Sequence, residues 1–99
     1  MLKAMWNGVV LAQSDTFRTV DGNVYFPRET LNWQCLRESS KRSNCPRKGV
    51  ARYFDVVVDG DVNAEAAWCY PDPKPVARDI AGHVAFWRGV RMEKVRFEP

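Results

Sequence analysis

Turn signals divide this chain more sharply than any other feature. Asn7-Gly8, Asp21-Gly22-Asn23, Cys45-Pro46, Asp59-Gly60 and the prolines from Pro71 to Pro75 cut it into short apolar stretches. That rhythm suits strands joined by tight turns and leaves little room for long helices. In "LKAMW-NG-VVLAQ" and "TFRTV-DG-NVYFP" a dipeptide of Asn-Gly or Asp-Gly separates two apolar arms. Such pairs accept the positive φ angles that a type I′ turn requires at both central positions, so both segments read as hairpins.

The longest strand expected is Val50 to Val58, entered through the turn at Cys45-Pro46. Alternation puts Arg52, Phe54, Val56 and Val58 on one face and Ala51, Tyr53, Asp55 and Val57 on the other. Neither face is cleanly polar, which places the strand inside a sheet. After Asp59-Gly60, "NAEAAW" offers Asn63 as an N-cap followed by good helix formers, and a single helical turn is expected. "PDPKP" favours an extended surface loop, because proline cannot donate to a strand ladder. A short helix over "VARDIA", ended by Gly82, follows, and "HVAFW" and "VRMEKVRF" form a last pair of strands around Arg88-Gly89. The expectation is one mainly β domain over residues 1–99, an antiparallel, barrel-like sheet with one or two short helical turns.

A chain of 99 residues supports a single modest core, and four Trp, five Phe and three Tyr supply much of it. The formal charge of +3 is spread over two mild clusters, "RESSKRSNCPRK" and "RGVRMEKVR". A nucleic-acid binder calls for a strongly basic stripe, so nucleic acid is not expected as a partner, whereas a small anion needs far less charge. No stretch approaches the ~20 apolar residues of a membrane span. "MLKAMWNGVVLAQSD" lacks the continuous apolar run of a signal peptide, so a cytoplasmic location without a membrane partner is expected. Cys35, Cys45 and Cys69 cannot all pair within the chain and are expected as free thiols in a reducing compartment.

"YFPRETLNW", "CPRKGVARYFDVVVDG" and "NAEAAWCYPDPKPVARDIAGHVAFW" stand here in order. With the run Cys45-Pro46, Lys48-Gly49, Ala67-Trp68, Tyr70-Pro71 and Phe86-Trp87, they make the chain resemble the bacterial domain-of-unknown-function family 427, from Met5 to about Glu93. That family also carries a nucleotidyltransferase-like label. It usually has an aromatic residue where Arg47 stands and often Tyr where His83 stands. The resemblance implies a compact, β-tent-like fold, similar to methionine sulfoxide reductase type B and to the drug-binding domain of cereblon. It implies no established reaction.

The residues do not favour nucleotidyl transfer. That chemistry needs carboxylates converging on Mg²⁺ and a cradle for the triphosphate. The one Asp-x-Asp, Asp59-Gly60-Asp61, has its glycine where a hairpin turn needs one, and "PRKG" supplies a single glycine to any phosphate loop. Zinc is not expected either. Cys35, Cys45, Cys69 and His83 are separated by ten, 24 and 14 residues, whereas structural zinc sites use close pairs. No metal and no cofactor is expected.

Cys45 is the candidate nucleophile or redox thiol. Arg47 and Lys48 beside it favour the thiolate, Lys48 is a candidate catalytic partner, and His83 is a candidate base. Against this stands the plain reading of Cys45 as a small buried hydrophobe at the start of a strand, which is also the reading for Cys35 and Cys69. The aromatic residues beside turns and prolines carry the remaining signal. Tyr25 with Phe26, Trp68, Tyr70 and Trp87 suit the mouth of a small sheet, with Lys48 or Lys74 to orient an anion. Some of these rings must also serve the core. The leading expectation is a small-molecule-binding module with a pocket framed by Tyr25, Cys45, Lys48, Trp68, Tyr70 and Trp87, for an unidentified anionic or aromatic partner.

Overall fold

In the computed structural model, which describes residues 1–95, the turns fall where the dipeptides place them. Nine strands follow in chain order among the described residues: β1 (Leu2–Trp6), β2 (Val9–Ser14), β3 (Arg18–Val20), β4 (Asn23–Phe26), β5 (Leu36–Cys45), β6 (Gly49–Val58), β7 (Asp61–Cys69), β8 (Val84–Phe86) and β9 (Arg91–Lys94). They form two antiparallel sheets, one ordered β2-β1-β9 and the other β3-β4-β8-β7-β6-β5. Neither closes into a barrel among the described residues. The hairpins β1–β2, β3–β4 and β6–β7 each turn through two residues with positive φ, at Asn7-Gly8, Asp21-Gly22 and Asp59-Gly60. These are the angles a type I′ turn demands.

Strand β6 lies inside the larger sheet, between β5 and β7, and both of its faces are used. Phe54, Val56 and Val58 are buried in the main core, where Ala4, Leu11 and Ala12 of the smaller sheet meet Phe26, Ala67, Val84 and Phe86 of the larger one. On the opposite face Ala51 is buried and Tyr53 half-buried, in a second cluster with Tyr25, Trp68, Tyr70, Ala77, Ile80 and Ala85. A strand with apolar neighbours on both sides cannot show clean alternation, which is the pattern its sequence has.

Two sequence expectations are corrected. "NAEAAW" is strand, not a helical turn: β7 pairs with β6 at Asn63 opposite Val56, Ala67 opposite Phe54 and Trp68 opposite Tyr53, and Ala66 to Cys69 are all buried. Ladder pairing and burial outweigh the few tenths of a kcal/mol by which alanine and glutamate favour a helix. The last two strands exist but do not pair. Strand β8 lies between β4 and β7, β9 lies beside β1 in the other sheet, and the Arg88-Gly89 turn carries the chain across. Of the "VRMEKVRF" segment, residues 96 and 97 lie outside the described residues. Over "VARDIA" the chain forms 3₁₀ helix, Pro75–Ile80, and two further single turns occur at Arg28–Thr30 and Trp33–Cys35. No helix among the described residues is long and apolar enough to cross a membrane.

Strand β5, "LRESSKRSNC", went unanticipated because it has almost no apolar signal. It is an edge strand, where charged side chains discourage pairing with another chain.

The β6–β7 ladder is interrupted once, where Asp55 faces a bulge in β7. Glu65 sits there at φ 58°, in the left-handed region. Its N–H donates to Asp55 Oδ1 at 2.8 Å, and Arg37 holds the other carboxylate oxygen at 3.1 Å. The side chain of Asp55 is 16% exposed and that of Arg37 60%. Asp55→Ala should therefore lower the unfolding free energy by about 2 kcal/mol, because it leaves the bulge N–H unsatisfied. Arg37→Ala removes a mostly solvated ion pair and should cost less than about 1 kcal/mol. Urea unfolding of the two variants checks the difference, and equal losses would contradict this account of the bulge.

Candidate functional site

Four residues stand directly opposite one another across four strands: Tyr53 on β6, Trp68 on β7, Ala85 on β8 and Tyr25 on β4. All project from the face turned away from the smaller sheet. Ala85, fully buried, is the small member of the row. Over its methyl group the rings of Trp68 and Tyr25 meet edge to face with centroids 6.1 Å apart, and the Trp68 indole N–H donates to Tyr25 Oη at 3.3 Å. Such pairs add roughly 0.5–1.5 kcal/mol beyond burial alone.

Trp87 extends the cluster outward, its ring centroid 5.8 Å from that of Trp68 at 76°. The bulge places it. The Trp87 indole N–H donates to the Glu65 carbonyl at 2.6 Å and its backbone N–H to the Ala66 carbonyl at 2.9 Å. The Arg88 guanidinium packs over the ring 4.6 Å from its centroid. Trp87 remains 41% exposed, a wall fixed from behind.

These rings border a concavity of about 280 Å³ lined by Asn23, Tyr25, Lys48, Tyr53, Trp68, Tyr70 and Trp87. Lys48 comes from the three-residue turn between β5 and β6. The proline loop clamps that turn: Lys74 donates from its backbone N–H to the Lys48 carbonyl at 2.8 Å and from Nζ to the Pro46 carbonyl at 2.6 Å. Gly49 ends the turn at φ 113°, which other residues rarely adopt; a Cβ there would make only ordinary contact with the loop, 3.5 Å from the Asp72 carbonyl oxygen, so the backbone angle is what calls for glycine.

The Lys48 ammonium pairs with Asp21 on the β3–β4 turn. Their hydrogen bond raises the lysine pKa and holds the Asp21 carboxyl below the usual range. Burial pushes the hydroxyl of Tyr70 up to about 12 and raises that of Tyr25. Both phenols therefore stay protonated, as hydrogen-bond donors, across the physiological range.

Tyr25, Lys48, Trp68, Tyr70 and Trp87 of the expected pocket thus face one concavity. Cys45 packs against the same cluster but does not line it. Phe26 points to the main core, Lys74 to a separate groove with Arg42 and Arg52, and His83 to a separate concavity beside Asp15 and Arg18. His83 therefore does not stand as a base at Cys45. Its Nδ1 lies 3.0 Å from the Ala81 carbonyl.

Asn23, Tyr53 and the counterion Asp21 were missed in the sequence. The Asp-Gly dipeptide accounts for Asp21 and Asn23 as turn residues, and alternation places Tyr53 only on a strand face. The cross-strand row could have exposed Tyr53 had the β6–β7 register been known.

The cysteines do not gather. Cys69 lies in the main core, Cys35 packs against it, and Cys45 belongs to the second cluster. No group of three or more His, Cys, Asp or Glu side chains suited to a metal occurs among the described residues. Asp59 and Asp61 flank the β6–β7 turn, where Asp61 accepts a hydrogen bond from the Asn7 amide at 3.0 Å. That turn begins six residues along the chain from Tyr53, about 20 Å from the aromatic row.

These features define a class: a small two-sheet antiparallel β domain that opens an aromatic concavity on the outer face of its larger sheet. The chain belongs to the family described as "Domain of unknown function (DUF427)", whose profile matches residues 1–98. Among curated proteins none matches it.

The backbone N–H groups of Lys48 and Arg47 are directed at the Cys45 sulfur and hold its thiol below the ordinary range, while burial raises that of Cys69. A lower pKa means more thiolate at a given pH, and thiolate is the species that alkylates. In the native protein at pH 7, iodoacetamide should modify Cys45 at least about ten times faster than Cys69. Peptide mapping by mass spectrometry checks this, and equal rates would contradict the assigned environment.

Proposed function

We propose that this protein is a small-molecule-binding module of the bacterial cytoplasm that holds its ligand in the aromatic concavity. The observation that supports it is the convergence of Tyr25, Lys48, Trp68, Tyr70 and Trp87, from four separate segments of the chain, on a single hollow. Tyr25, Trp68 and Tyr70 are largely covered, as rings serving a core would be. Trp87 instead is held by its indole N–H, with Arg88 over its ring, and stays 41% exposed. Aromatic walls with a few convergent polar groups are what small-ligand sites require.

A second reading, a thiol-dependent enzyme using Cys45, is favoured by the two backbone N–H groups at its sulfur and by Lys48 nearby. It needs the substrate to reach a thiol that does not line the hollow, and it ranks below the first for that reason. The nucleotidyltransferase-like activity suggested by the family's label has no carboxylate cluster to draw on among the described residues.

The binding reading is tested by thermal-shift screening of the purified protein against a broad panel of metabolites. At least one compound class should raise the melting temperature. Trp87→Ala should keep the fold, since the ring is partly exposed, and should weaken that ligand about ten-fold or more. A panel that stabilises nothing, or a hit indifferent to Trp87→Ala, would remove the support for this reading.

A further inference from the structure

Lys48 is the only cation among the described residues lining the concavity, and no carboxylate lines it. The lysine side chain is 14% exposed. Its counterion Asp21 stands outside the lining, on the β3–β4 turn, with a side chain 53% exposed. The turn itself is held by backbone pairing of Val20 with Asn23, not by the Asp21 carboxylate. Rotating Asp21 into water gives up an ion pair that is exposed on the carboxylate side alone, a loss the incoming anion offsets, and leaves the hairpin in place. It uncovers an ammonium already fixed at the edge of the hollow.

The other polar groups there include further donors. Tyr25 Oη accepts the Trp68 indole N–H, which leaves its own proton to donate elsewhere. Tyr70 is 7% exposed, and its hydroxyl is paired with the side chain of Cys45, a weak acceptor that a ligand oxygen can replace. A cation and phenol donors beside ring walls call for a partner that is flat on one side and an acceptor on the other.

Resting on the binding reading above, we propose that the ligand is a planar ring bearing a single negative charge, a carboxylate, which replaces Asp21 on Lys48 while the ring lies against Trp68 and Trp87. One lining cation matches one charge, and a dianionic phosphate would be left half-compensated. The volume of about 280 Å³ lies just below the range of drug-sized sites and suits one or two fused rings. Asp21 acts as an internal stand-in for the ligand's carboxylate, keeping Lys48 charged and oriented while the hollow is empty.

The test titrates 1-naphthoate, 1-naphthamide and 1-naphthyl phosphate into the wild-type protein and two variants, followed by calorimetry. Naphthoate should bind about ten-fold or more tighter than the other two, and Lys48→Met should erase that preference. Asp21→Asn removes the competitor and should tighten naphthoate by about two- to five-fold without affecting naphthamide. Naphthamide or the phosphate binding as tightly as naphthoate, or Asp21→Asn leaving naphthoate unchanged or weaker, overturns the proposal. The binding reading survives those outcomes if Trp87→Ala still weakens whatever binds. If none of the three probes binds, the anion proposal fails, alone when the metabolite panel yields a Trp87-dependent hit and together with the binding reading when it does not.

Discussion

The register of the β6-β7-β8-β4 ladder is the constraint on which the rest depends. With Phe54 opposite Ala67 and Ala67 opposite Phe86, one face of the larger sheet presents apolar side chains to the smaller sheet. With Tyr53 opposite Trp68, Trp68 opposite Ala85 and Ala85 opposite Tyr25, the other face presents aromatic rings around a gap. A slip of one residue in any pair would exchange these faces and lose both the core and the hollow. Ala85 makes the second face work, since any side chain larger than its methyl would hold Tyr25 and Trp68 apart.

The β7 bulge supplies what regular pairing cannot. Holding Glu65 in the left-handed region is unfavourable for a residue with a Cβ, by roughly 1–2 kcal/mol, and the Asp55 carboxylate offsets part of that by accepting its N–H. What results is a carbonyl turned out of the ladder toward the indole of Trp87. Strain retained in a strand beside an aromatic hollow agrees with the general tendency of such strain to collect at sites that act on a partner. On the other side of the hollow, the proline loop fixes the turn bearing Lys48 through two hydrogen bonds. Local features of unlike kind, a bulge and a clamped turn, thus position opposite walls of one concavity.

Much of the fold was legible because its turns are encoded locally. Asn7-Gly8, Asp21-Gly22 and Asp59-Gly60 each specify a hairpin by backbone geometry alone, and Val50 to Val58 betrayed its central place by lacking a polar face. What local pattern missed depends on distant partners. "NAEAAW" favours helix until β6 and β8 pair with it. "LRESSKRSNC" carries the polarity of an edge strand and so resembles a loop, and β8 and β9 are neighbours in sequence but lie in different sheets. Site residues follow the same division. Aromatic residues beside turns and prolines were visible, and so was Lys48. Asp21, Asn23 and Tyr53 acquire their places only through the register, while His83 and Lys74 are carried by it to other parts of the surface.

The most direct test of the central claim, that the outer-face hollow is where this protein meets its ligand, uses the four tryptophans as reporters. Trp68 and Trp87 belong to the hollow, whereas Trp6 and Trp33 pack against the main core on the other face of the sheet. In an ¹H–¹⁵N NMR titration with any compound that stabilises the protein, the indole resonances of Trp68 and Trp87 should shift while those of Trp6 and Trp33 stay in place. Shifts confined to Trp6 or Trp33, or a stabilising compound that leaves Trp68 and Trp87 unmoved, would contradict the account.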